Sequence, residues 1–265
     1  MTALIADSTP EFSHRVAYSF SKACDSYLPA ARLQQQVALD ALALLPQSKQ
    51  GHLLDLGCGP GWIHSRFAAY CGHFTAADLS AGMLAKAASQ QLATHYVQAD
   101  AQQLPLATHS VDKLFSSLML QWCSQPAAVF SQIGRILAPG GRVVITTLVD
   151  GTLIELKQAF AKLDSNPHVN QFLPVAEIKT AASAAAGISW QFELRCYPLF
   201  YPDVISLARE LKALGANQVA GRHSQGLTGK GYWQKLAEAY DSNRTALGIP
   251  ASYQVLMITG YKNAN

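Results

Sequence analysis

The sequence has few charged residues: Asp, Glu, Lys and Arg make up 14% of its 265 positions, against 49% hydrophobic residues. A chain of this composition does not resemble a disordered protein, and it is long enough to bury a sizeable core. It also lacks the dense cluster of Lys and Arg that nucleic-acid-binding proteins carry, and its net charge is only +3. We therefore expect a folded protein with no nucleic-acid partner.

Long hydrophobic runs are absent as well. No stretch approaches the ~20 apolar residues that a membrane-spanning helix needs. Residues Met1 to Pro10 include Asp7 and lack the basic start and apolar centre of a signal peptide. These absences predict a soluble, cytoplasmic protein with no membrane partner, and we expect it to be a monomer.

The cysteines are scattered and odd in number, at positions 24, 58, 71, 123 and 196. None forms a C-x-x-C pair or a Cys/His cluster with the spacing of a zinc site. We expect free thiols in a reducing compartment and no bound metal.

The small positive charge is unevenly placed. Residues 1–150 hold 9 Lys and Arg against 9 Asp and Glu, whereas residues 151–265 hold 11 against 8. The excess in the second half is either ordinary solvated surface or a mildly basic face for an acidic partner.

Strand and helix patterns alternate through the middle of the chain. This alternation predicts a parallel sheet with helices on both faces, and the Pro139-Gly140-Gly141 run predicts a tight turn before the fifth strand. The predicted strands are His52–Leu56, His73–Asp78, His95–Ala99, Val111–Leu118 and Arg142–Leu148, with helices at Trp62–Tyr70, Ser80–Ser89 and Pro126–Leu137.

The two ends of the chain are less regular. Residues 11–46 predict two helices, and the region after Gly151 predicts helices around two late strands, Trp190–Tyr201 and Ser252–Tyr261. The late strands suggest an antiparallel sheet edge. We expect one domain over residues 1–265, composed of N-terminal helices (1–48), a ligand-binding half (49–150) and a C-terminal half (151–265) with a helical lid at 203–249.

A glycine loop follows the first strand. Gly57, Gly59 and Gly61 have the spacing G-x-G-x-G, one residue shorter than the G-x-G-x-x-G of dinucleotide-binding dehydrogenases. Asp55 stands two residues before the loop, where a carboxylate repels a diphosphate and attracts an ammonium group. The pattern therefore favours a cationic ligand without phosphate, such as S-adenosylmethionine.

Further polar positions follow the later strands in order. Asp78 is placed to accept both ribose hydroxyl protons, and Asp100 to accept from the adenine amine, with Ala101 offering its backbone N–H. Ser117 and Leu118 end the fourth strand and would form the floor of the pocket near the sulfonium. Each acidic residue alone is more often a helix cap or a surface residue. Together they lie at the edge of the sheet where α/β proteins bind ligands.

These segments resemble the class I methyltransferases. The resemblance rests on LDLGCGPGW, on AADLSAGML with Leu79 and Met83, on QADAQQLPLATHSVD and on the Pro-Gly-Gly turn, and it covers about residues 50–150. It implies S-adenosylmethionine as cofactor and S-adenosylhomocysteine as product. It also implies a Rossmann-like, seven-stranded, mostly parallel α/β sheet with an antiparallel edge strand.

Outside that half, the sequence resembles the malonyl-acyl carrier protein O-methyltransferases of biotin synthesis, and this likeness is nearly full length. The one departure is Ala17-Tyr18, where that family tends to be small or basic. The resemblance rests on residues 16–23 with Tyr27 and Gln34, and on 117–123, 146–156, 167–174, 211–216 and 221–228.

The family resemblance implies methyl transfer to the free carboxylate of a malonyl thioester. A carboxylate is already ionised at neutral pH, so no general base is needed. Arg222 is the first candidate to hold it, because guanidinium binds carboxylate in a bidentate manner, although a surface arginine is nearly as good a reading. Tyr18, Tyr27 and His168 are further candidates for hydrogen bonds to the acceptor.

The same resemblance implies which residue walls the pocket and which molecule carries the acceptor. Trp122 is predicted to wall the cofactor or thioester pocket. The acceptor is expected to ride on acyl carrier protein or on coenzyme A, and the lid cations would meet the acidic helices of the carrier. These cations are Arg209, Lys212, Lys230 and Lys235.

Three alternatives remain open on the sequence alone. Another class I methyltransferase acting on a small acid or quinone precursor would share every cofactor residue. A non-catalytic cofactor-binding interaction module is a second possibility, which the intact Asp55, Asp78 and Asp100 disfavour. A nicotinamide-dependent dehydrogenase is third, disfavoured by the glycine spacing.

Overall fold

A computed structural model describes residues 10–215 and 229–264. Its strands form one seven-stranded sheet. The strands are β1 (His52–Leu56), β2 (His73–Asp78), β3 (His95–Gln98), β4 (Val111–Ser117), β5 (Leu137–Leu148), β6 (Ile188–Tyr201) and β7 (Ile249–Lys262). The first four strands match the predicted segments to within one residue, whereas β5 begins at Leu137, five residues before the predicted strand. The central strands β1 and β4 are almost fully buried, as the continuous hydrophobic runs predict.

The strand order is β3-β2-β1-β4-β5-β7-β6. The pairs from β3 to β5 are parallel, and β7 runs antiparallel to both of its neighbours, β5 and β6. The sheet is therefore seven-stranded and mostly parallel as expected, with its antiparallel pairing at the β6 edge. The reversed strand β7 lies one place in from that edge, and β6 is the outermost strand.

Helices cover both faces of the sheet. Residues His64–Ala69, predicted as part of an α-helix, form a 3₁₀ helix, and a second 3₁₀ turn spans Leu120–Trp122. The α-helices are α1 (Pro10–Ala23), α2 (Tyr27–Ala30), α3 (Arg32–Leu42), α4 (Ala81–Ala88), α5 (Pro126–Ile136), α6 (Ile154–Ala161), α7 (Val175–Ala182), α8 (Val204–Ala213) and α9 (Lys230–Asp241).

The Pro139-Gly140-Gly141 run lies within β5, whereas the sequence predicted a turn before the strand. Val111 pairs with Leu137 but Lys113 pairs with Arg142, so the run forms an irregularity in the β4–β5 ladder. Gly140 has φ +79°, a conformation that glycine adopts without steric cost. The extra residues are thereby absorbed inside the strand.

Two hydrophobic clusters lie on opposite faces of the sheet. Successive side chains of a strand point to opposite faces, so Leu53 belongs to the cluster with α3, α6 and α9, and Leu54 to the cluster with α5 and α7. Both side chains are fully buried. This core holds the carboxyl ends of β1, β2 and β4 together at one edge of the sheet.

Helix α1 is docked on α4 above that edge. Ser21 Oγ lies 2.7 Å from Ser80 Oγ and accepts a hydrogen bond from the Gly82 backbone N–H at 3.2 Å. A Cβ atom on Gly82 would lie 2.9 Å from Ser21 Cα, so the close approach of the two helices requires glycine. In residues 10–215 and 229–264, no helix is long and apolar enough to cross a membrane.

Candidate active site

The glycine loop turns sharply after β1. Gly57 and Gly59 have φ values of +75° and +54°. The backbone N–H groups of Gly57 and Cys58 both donate to the Ala77 carbonyl, at 2.8 and 3.0 Å. The Gly59 N–H donates to Asp78, and the Gly61 N–H to the Cys58 carbonyl. The loop therefore has none of these N–H groups left for a diphosphate, which a dinucleotide site would require.

Asp78 closes the loop from the end of β2. Its Oδ2 accepts from the Gly59 N–H at 2.8 Å, and its Oδ1 accepts from the Ser80 N–H at 2.8 Å. Burial raises the pKa of Asp78 to about 6, although these two hydrogen bonds oppose the rise. Burial, with the nearby Asp78 carboxylate, also raises the pKa of Tyr27. The carboxyl of Asp78 thus changes charge in a range close to neutral pH.

A cavity of about 790 Å³, open to solvent, lies over this loop; we call it the glycine-loop cavity. Helix α1 forms its roof, and the ends of β1, β2 and β4 form its floor. It is lined by Ser13, Val16, Ala17, Phe20, Tyr27, Leu56, Gly57, Gly59, Asp78, Leu79, Ser80, Met83, Ala99, Asp100, Ala101, Gln102, Ser117, Leu118, Met119, Trp122 and Cys123.

The charge of the glycine-loop cavity is negative. Asp78 and Asp100 line it, and no Lys or Arg is among its described lining residues. Two carboxylates attract a cationic ligand and repel a phosphate. No group of His, Cys, Asp and Glu that could hold a metal ion is present in the described part of the chain. The cavity therefore fits a cationic organic ligand.

Asp55 lies beneath the loop and does not line the cavity. Its Oδ2 is 3.0 Å from Nε2 of His64, and both side chains are almost fully buried. Gly61 is also absent from the lining, since its Cα faces the His64 ring, and a Cβ there would lie 2.6 Å from Nδ1. The sequence placed Asp55 opposite the ligand, whereas the structure pairs it with His64. The exclusion of a diphosphate rests instead on the occupied N–H groups of the loop.

A second cavity, of about 810 Å³ and also open to solvent, adjoins the first; we call it the lid cavity. Four residues line both cavities and so form their common wall: Phe20, Tyr27, Leu118 and Trp122. The remaining lining residues of the lid cavity are Leu33, Gln34, Gln121, Leu148, Leu153, Leu156, His168, Val169, Asn170, Phe172, Glu210, Leu211, Leu214 and Tyr253.

Leu118 occupies a strained position in the common wall. Its φ is +52°, in the left-handed region that side chains rarely adopt. Its backbone N–H donates to both the carbonyl and Oγ1 of Thr146, each at 3.0 Å. These bonds offset the strain and fix the chain where the two cavities meet.

Among the described residues, Glu210 is the one carboxylate that lines the lid cavity, and Arg32 balances its charge. Arg32 Nε donates to Glu210 Oε2 at 3.0 Å, and the Tyr201 hydroxyl donates to Oε1 at 2.7 Å. These contacts join α8 to α3 and to β6. A partnered Glu210 repels an anionic acceptor less than a free carboxylate would.

His168 is held by a carboxylate and a phenol behind the lid cavity. Its Nε2 lies 2.7 Å from Asp164 Oδ1, and the Tyr232 hydroxyl donates to Asp164 Oδ2 at 2.7 Å. The Tyr232 hydrogen bond is the main reason that the pKa of Asp164 falls to about 2. Phe160 stacks on the imidazole, with ring centroids 4.0 Å apart. The imidazole is therefore fixed in orientation.

Among the described residues, each cavity is lined by one buried polar side-chain atom that has no hydrogen-bond partner. These atoms are Ser13 Oγ in the glycine-loop cavity and Gln34 Oε1 in the lid cavity. An unpartnered buried polar group is costly and is rare in native structures. Both atoms are therefore available to bond a polar group of a ligand.

The structure brings most of the predicted site residues together. Tyr27 and Trp122 lie in the common wall, and His168 lines the lid cavity. The predicted cofactor residues that line the glycine-loop cavity are Gly57, Gly59, Asp78, Leu79, Met83, Asp100, Ala101, Ser117, Leu118 and Trp122.

One predicted acceptor residue, Tyr18, lines neither cavity. Tyr18 is 62% exposed on the outer face of α1, with Lys22 Nζ 4.4 Å from its ring centroid. It faces outward because the helix turns Ala17 and Phe20 towards the cavity. Arg222 lies outside the described residues.

Sequence reasoning missed several residues of the site, including Ser13, Phe20 and His64. Ser13 and Phe20 lie on the apolar stripe of α1, and this helical spacing was the available signal. His64 gave no signal, because its partner Asp55 is recognised only when the loop is folded.

Solved structures share this fold. The YcgJ protein from Bacillus subtilis matches 87% of this chain and 99% of its own at a TM-score of 0.59 and 17% identity. A geranyl diphosphate C-methyltransferase from Streptomyces coelicolor A3(2), in complex with S-adenosyl-L-homocysteine, matches 88% of this chain and 80% of its own. The TM-score of this match is 0.52 and the sequence identity is 15%. Identities this low establish the fold alone, which is that of the class I methyltransferases.

Sequence comparisons are more specific. The family described as "Methyltransferase domain" matches residues 54–145. The malonyl-[acyl-carrier protein] O-methyltransferase of Serratia marcescens is 38% identical, over 91% of this chain and 92% of its own. The corresponding protein of Hahella chejuensis is 34% identical, over 91% of this chain and 88% of its own. The chain therefore belongs to the malonyl-[acyl-carrier protein] O-methyltransferase family.

A longer relative contains the same region. The biotin biosynthesis bifunctional protein BioHC of Cellvibrio japonicus is 39% identical over 91% of this chain. The chain spans only 48% of that protein, about half its length.

Proposed function

We propose that this protein transfers a methyl group from S-adenosylmethionine to the free carboxylate of a malonyl thioester carried by acyl carrier protein, in biotin synthesis. The observation that carries the proposal is the common wall of Phe20, Tyr27, Leu118 and Trp122 between the two cavities. One cavity is suited to a cationic donor and the other to an acceptor, and the wall is where their reacting atoms would meet.

The residues of the glycine-loop cavity fit the proposed cofactor. Asp78 would accept hydrogen bonds from the ribose hydroxyls, and Asp100 from the adenine amine. The negative lining suits the sulfonium and ammonium groups, and Ser13 Oγ is free to bond a polar group of the ligand. S-Adenosylmethionine supplies an electrophilic methyl group when it is bound.

The contribution of this chain to the reaction is positioning. A malonyl carboxylate is ionised at neutral pH, so no residue has to remove a proton from it. The common wall has to hold a carboxylate oxygen in line with the methyl group, and the apolar residues of the lid cavity exclude water. Leu148, Leu153 and Leu156 contribute to this apolar lining.

The group that holds the acceptor carboxylate is not among the described Lys and Arg, since none of these lines the lid cavity. Arg222 stays the first prediction for that role. Tyr27, in the common wall, is placed to donate a hydrogen bond to an acceptor oxygen.

The carrier is inferred from the relatives, whose names specify an acyl carrier protein. Arg209 and Lys212 are exposed on α8, the helix that also lines the lid cavity through Leu211 and Leu214. These cations are suited to attract an acidic carrier to the cavity mouth. The monomeric state and the cytoplasmic location stay predictions.

The test compares acceptors with labelled cofactor. Malonyl-carrier protein should receive label, while acetyl-carrier protein, which has no free carboxylate, should receive none. Titration with S-adenosylhomocysteine in a calorimeter is the parallel control for the cofactor site. Cofactor binding without label on malonyl-carrier protein would overturn the acceptor assignment, whereas absence of both would also remove the methyltransferase function.

A further inference from the structure

Several polar side chains of the lid cavity are engaged within the protein. Gln121 Nε2 donates to the Leu118 carbonyl at 2.6 Å, and its Oε1 accepts from Thr147 Oγ1 at 3.2 Å. Glu210 and His168 are held as described above. Gln34 Oε1 differs, because it is buried and has no hydrogen-bond partner.

The position of Gln34 separates it from the reacting atoms. It lines the lid cavity but not the glycine-loop cavity, and it is not part of the common wall. A carboxylate that receives the methyl group has to lie at the common wall. Gln34 therefore faces a more remote part of the acceptor.

The chemistry of Gln34 Oε1 restricts what it can bind. An amide oxygen accepts hydrogen bonds and cannot donate them. The malonyl carboxylate and the thioester carbonyl are themselves acceptors, so neither can satisfy it. A pantetheine arm, whether on a carrier protein or on coenzyme A, carries secondary amides with N–H donors beyond the thioester sulfur.

We propose that Gln34 binds the pantetheine arm of the acceptor, with Oε1 accepting a hydrogen bond from an arm amide N–H. The inference rests on the proposed function, since it assumes a malonyl thioester as substrate. The neighbouring Leu33, Leu153 and Leu156 provide apolar contacts for the methylene groups of the arm. Gln34 is thus a specificity-determining residue for thioesters that carry an amide-containing arm.

The test uses two acceptors and two substitutions. Malonyl-pantetheine contains the arm amides, whereas the S-methyl thioester of malonate lacks them. In the Gln34→Leu protein, the ratio of kcat/KM for malonyl-pantetheine over the S-methyl thioester should fall about threefold to tenfold, mainly through KM. Gln34→Glu retains an acceptor oxygen and should lower the ratio less.

Gln36→Leu is the matched control, because Gln36 is an exposed glutamine on the same helix. It should keep the wild-type ratio. The inference is overturned if Gln34→Leu leaves the ratio unchanged. It is equally overturned if Gln34→Glu is the more damaging substitution with both acceptors, since that result would place Gln34 beside the substrate carboxylate.

A binding measurement makes the inference independent of turnover. Calorimetry of pantetheine with the protein saturated in S-adenosylhomocysteine should show binding that Gln34→Leu weakens by about threefold to tenfold. If the wild-type protein binds no pantetheine, the inference fails. If it binds pantetheine through Gln34 but methylates no malonyl thioester, the proposed function fails and the role of Gln34 stands.

Discussion

His64 Nε2 lies 3.0 Å from Asp55 Oδ2 beneath the glycine loop, with the two side chains buried to 0% and 3% exposure. The imidazole also fills the space below Gly61 and contacts the ring of Phe74 edge-on at 4.9 Å. The pair thus joins the end of β1 to the 3₁₀ helix that follows the loop. The backbone of the glycine loop is held from beneath by this contact.

Replacing His64 should therefore destabilise the protein. His64→Leu leaves the Asp55 carboxylate buried without its partner, which costs about 2–3 kcal/mol of the free energy of unfolding. Urea denaturation measures this loss. His95→Leu, at an exposed position on β3, is the control and should cost less than about 0.5 kcal/mol. Equal losses in the two variants would contradict a specific role for the Asp55–His64 pair.

Cofactor affinity should depend on pH through Asp78. The pKa of Asp78 is raised to about 6, so the folded protein without ligand holds the carboxyl proton of Asp78 more tightly than the unfolded chain does. The stabilisation from this group is therefore complete below the ordinary pKa of 3.8 and is lost as the pH rises through about 6. Since ribose hydroxyls donate to the ionised form, the dissociation constant of S-adenosylhomocysteine should rise as the pH falls from 7 to 5.

The Asp78→Asn variant tests that assignment by calorimetry over the same pH range. It should bind S-adenosylhomocysteine at least about tenfold more weakly at pH 7.5, and this pH dependence should disappear. Glu177→Gln, at an exposed position on α7, should behave as the wild-type protein. A pH dependence that persists in Asp78→Asn would assign the titration to another group.

Ser13 should affect ligand binding and not folding. Its hydroxyl is buried in the glycine-loop cavity without a partner, so Ser13→Ala breaks no hydrogen bond within the protein. The free energy of unfolding should stay within about 0.5 kcal/mol of wild type, while the dissociation constant of S-adenosylhomocysteine rises about twofold to tenfold. Unchanged affinity, measured by calorimetry, would show that the hydroxyl does not contact the ligand.

Tyr232→Phe should loosen the support of His168. The variant loses the hydrogen bond to Asp164 at 2.7 Å, so the free energy of unfolding at pH 7 should fall by about 1 kcal/mol in urea. The pKa of Asp164 should rise from about 2 towards its ordinary value, which nuclear magnetic resonance of the carboxyl carbon measures. The lowered pKa stabilises the protein above pH 3.8, and this contribution is lost as the pH falls through about 2.

Tyr18→Phe is the control for that substitution, because the Tyr18 side chain is 62% exposed. It should change the free energy of unfolding by less than about 0.5 kcal/mol. A loss as large as that of Tyr232→Phe would mean that the Tyr232–Asp164 bond is not the source of the effect.

The sequence predicted the strands and the glycine-loop residues well because their signals are local. An apolar run followed by a glycine turn and an Asp specifies β1, its loop and Asp78 without long-range information. The Pro139-Gly140-Gly141 run was misread as a turn, since its absorption into β5 depends on pairing with β4.

The acceptor side was harder to predict. Tyr18 was chosen for its chemistry, although the helical spacing of Val16 and Phe20 already turned it away from the cavity. The His168–Asp164–Tyr232 cluster joins segments far apart in the chain, so only the folded structure shows it. Burial of Gln34 Oε1 without a partner is likewise a property of packing.

Intact-protein mass spectrometry of malonyl-carrier protein, after incubation with this protein and S-adenosylmethionine, tests the central claim most directly. The account predicts a mass gain of one methyl group in place of a proton on the malonyl-carrier protein. It also predicts no gain on the same carrier bearing an acetyl group. An unchanged mass of malonyl-carrier protein, with S-adenosylhomocysteine bound at the glycine-loop cavity, would contradict the account.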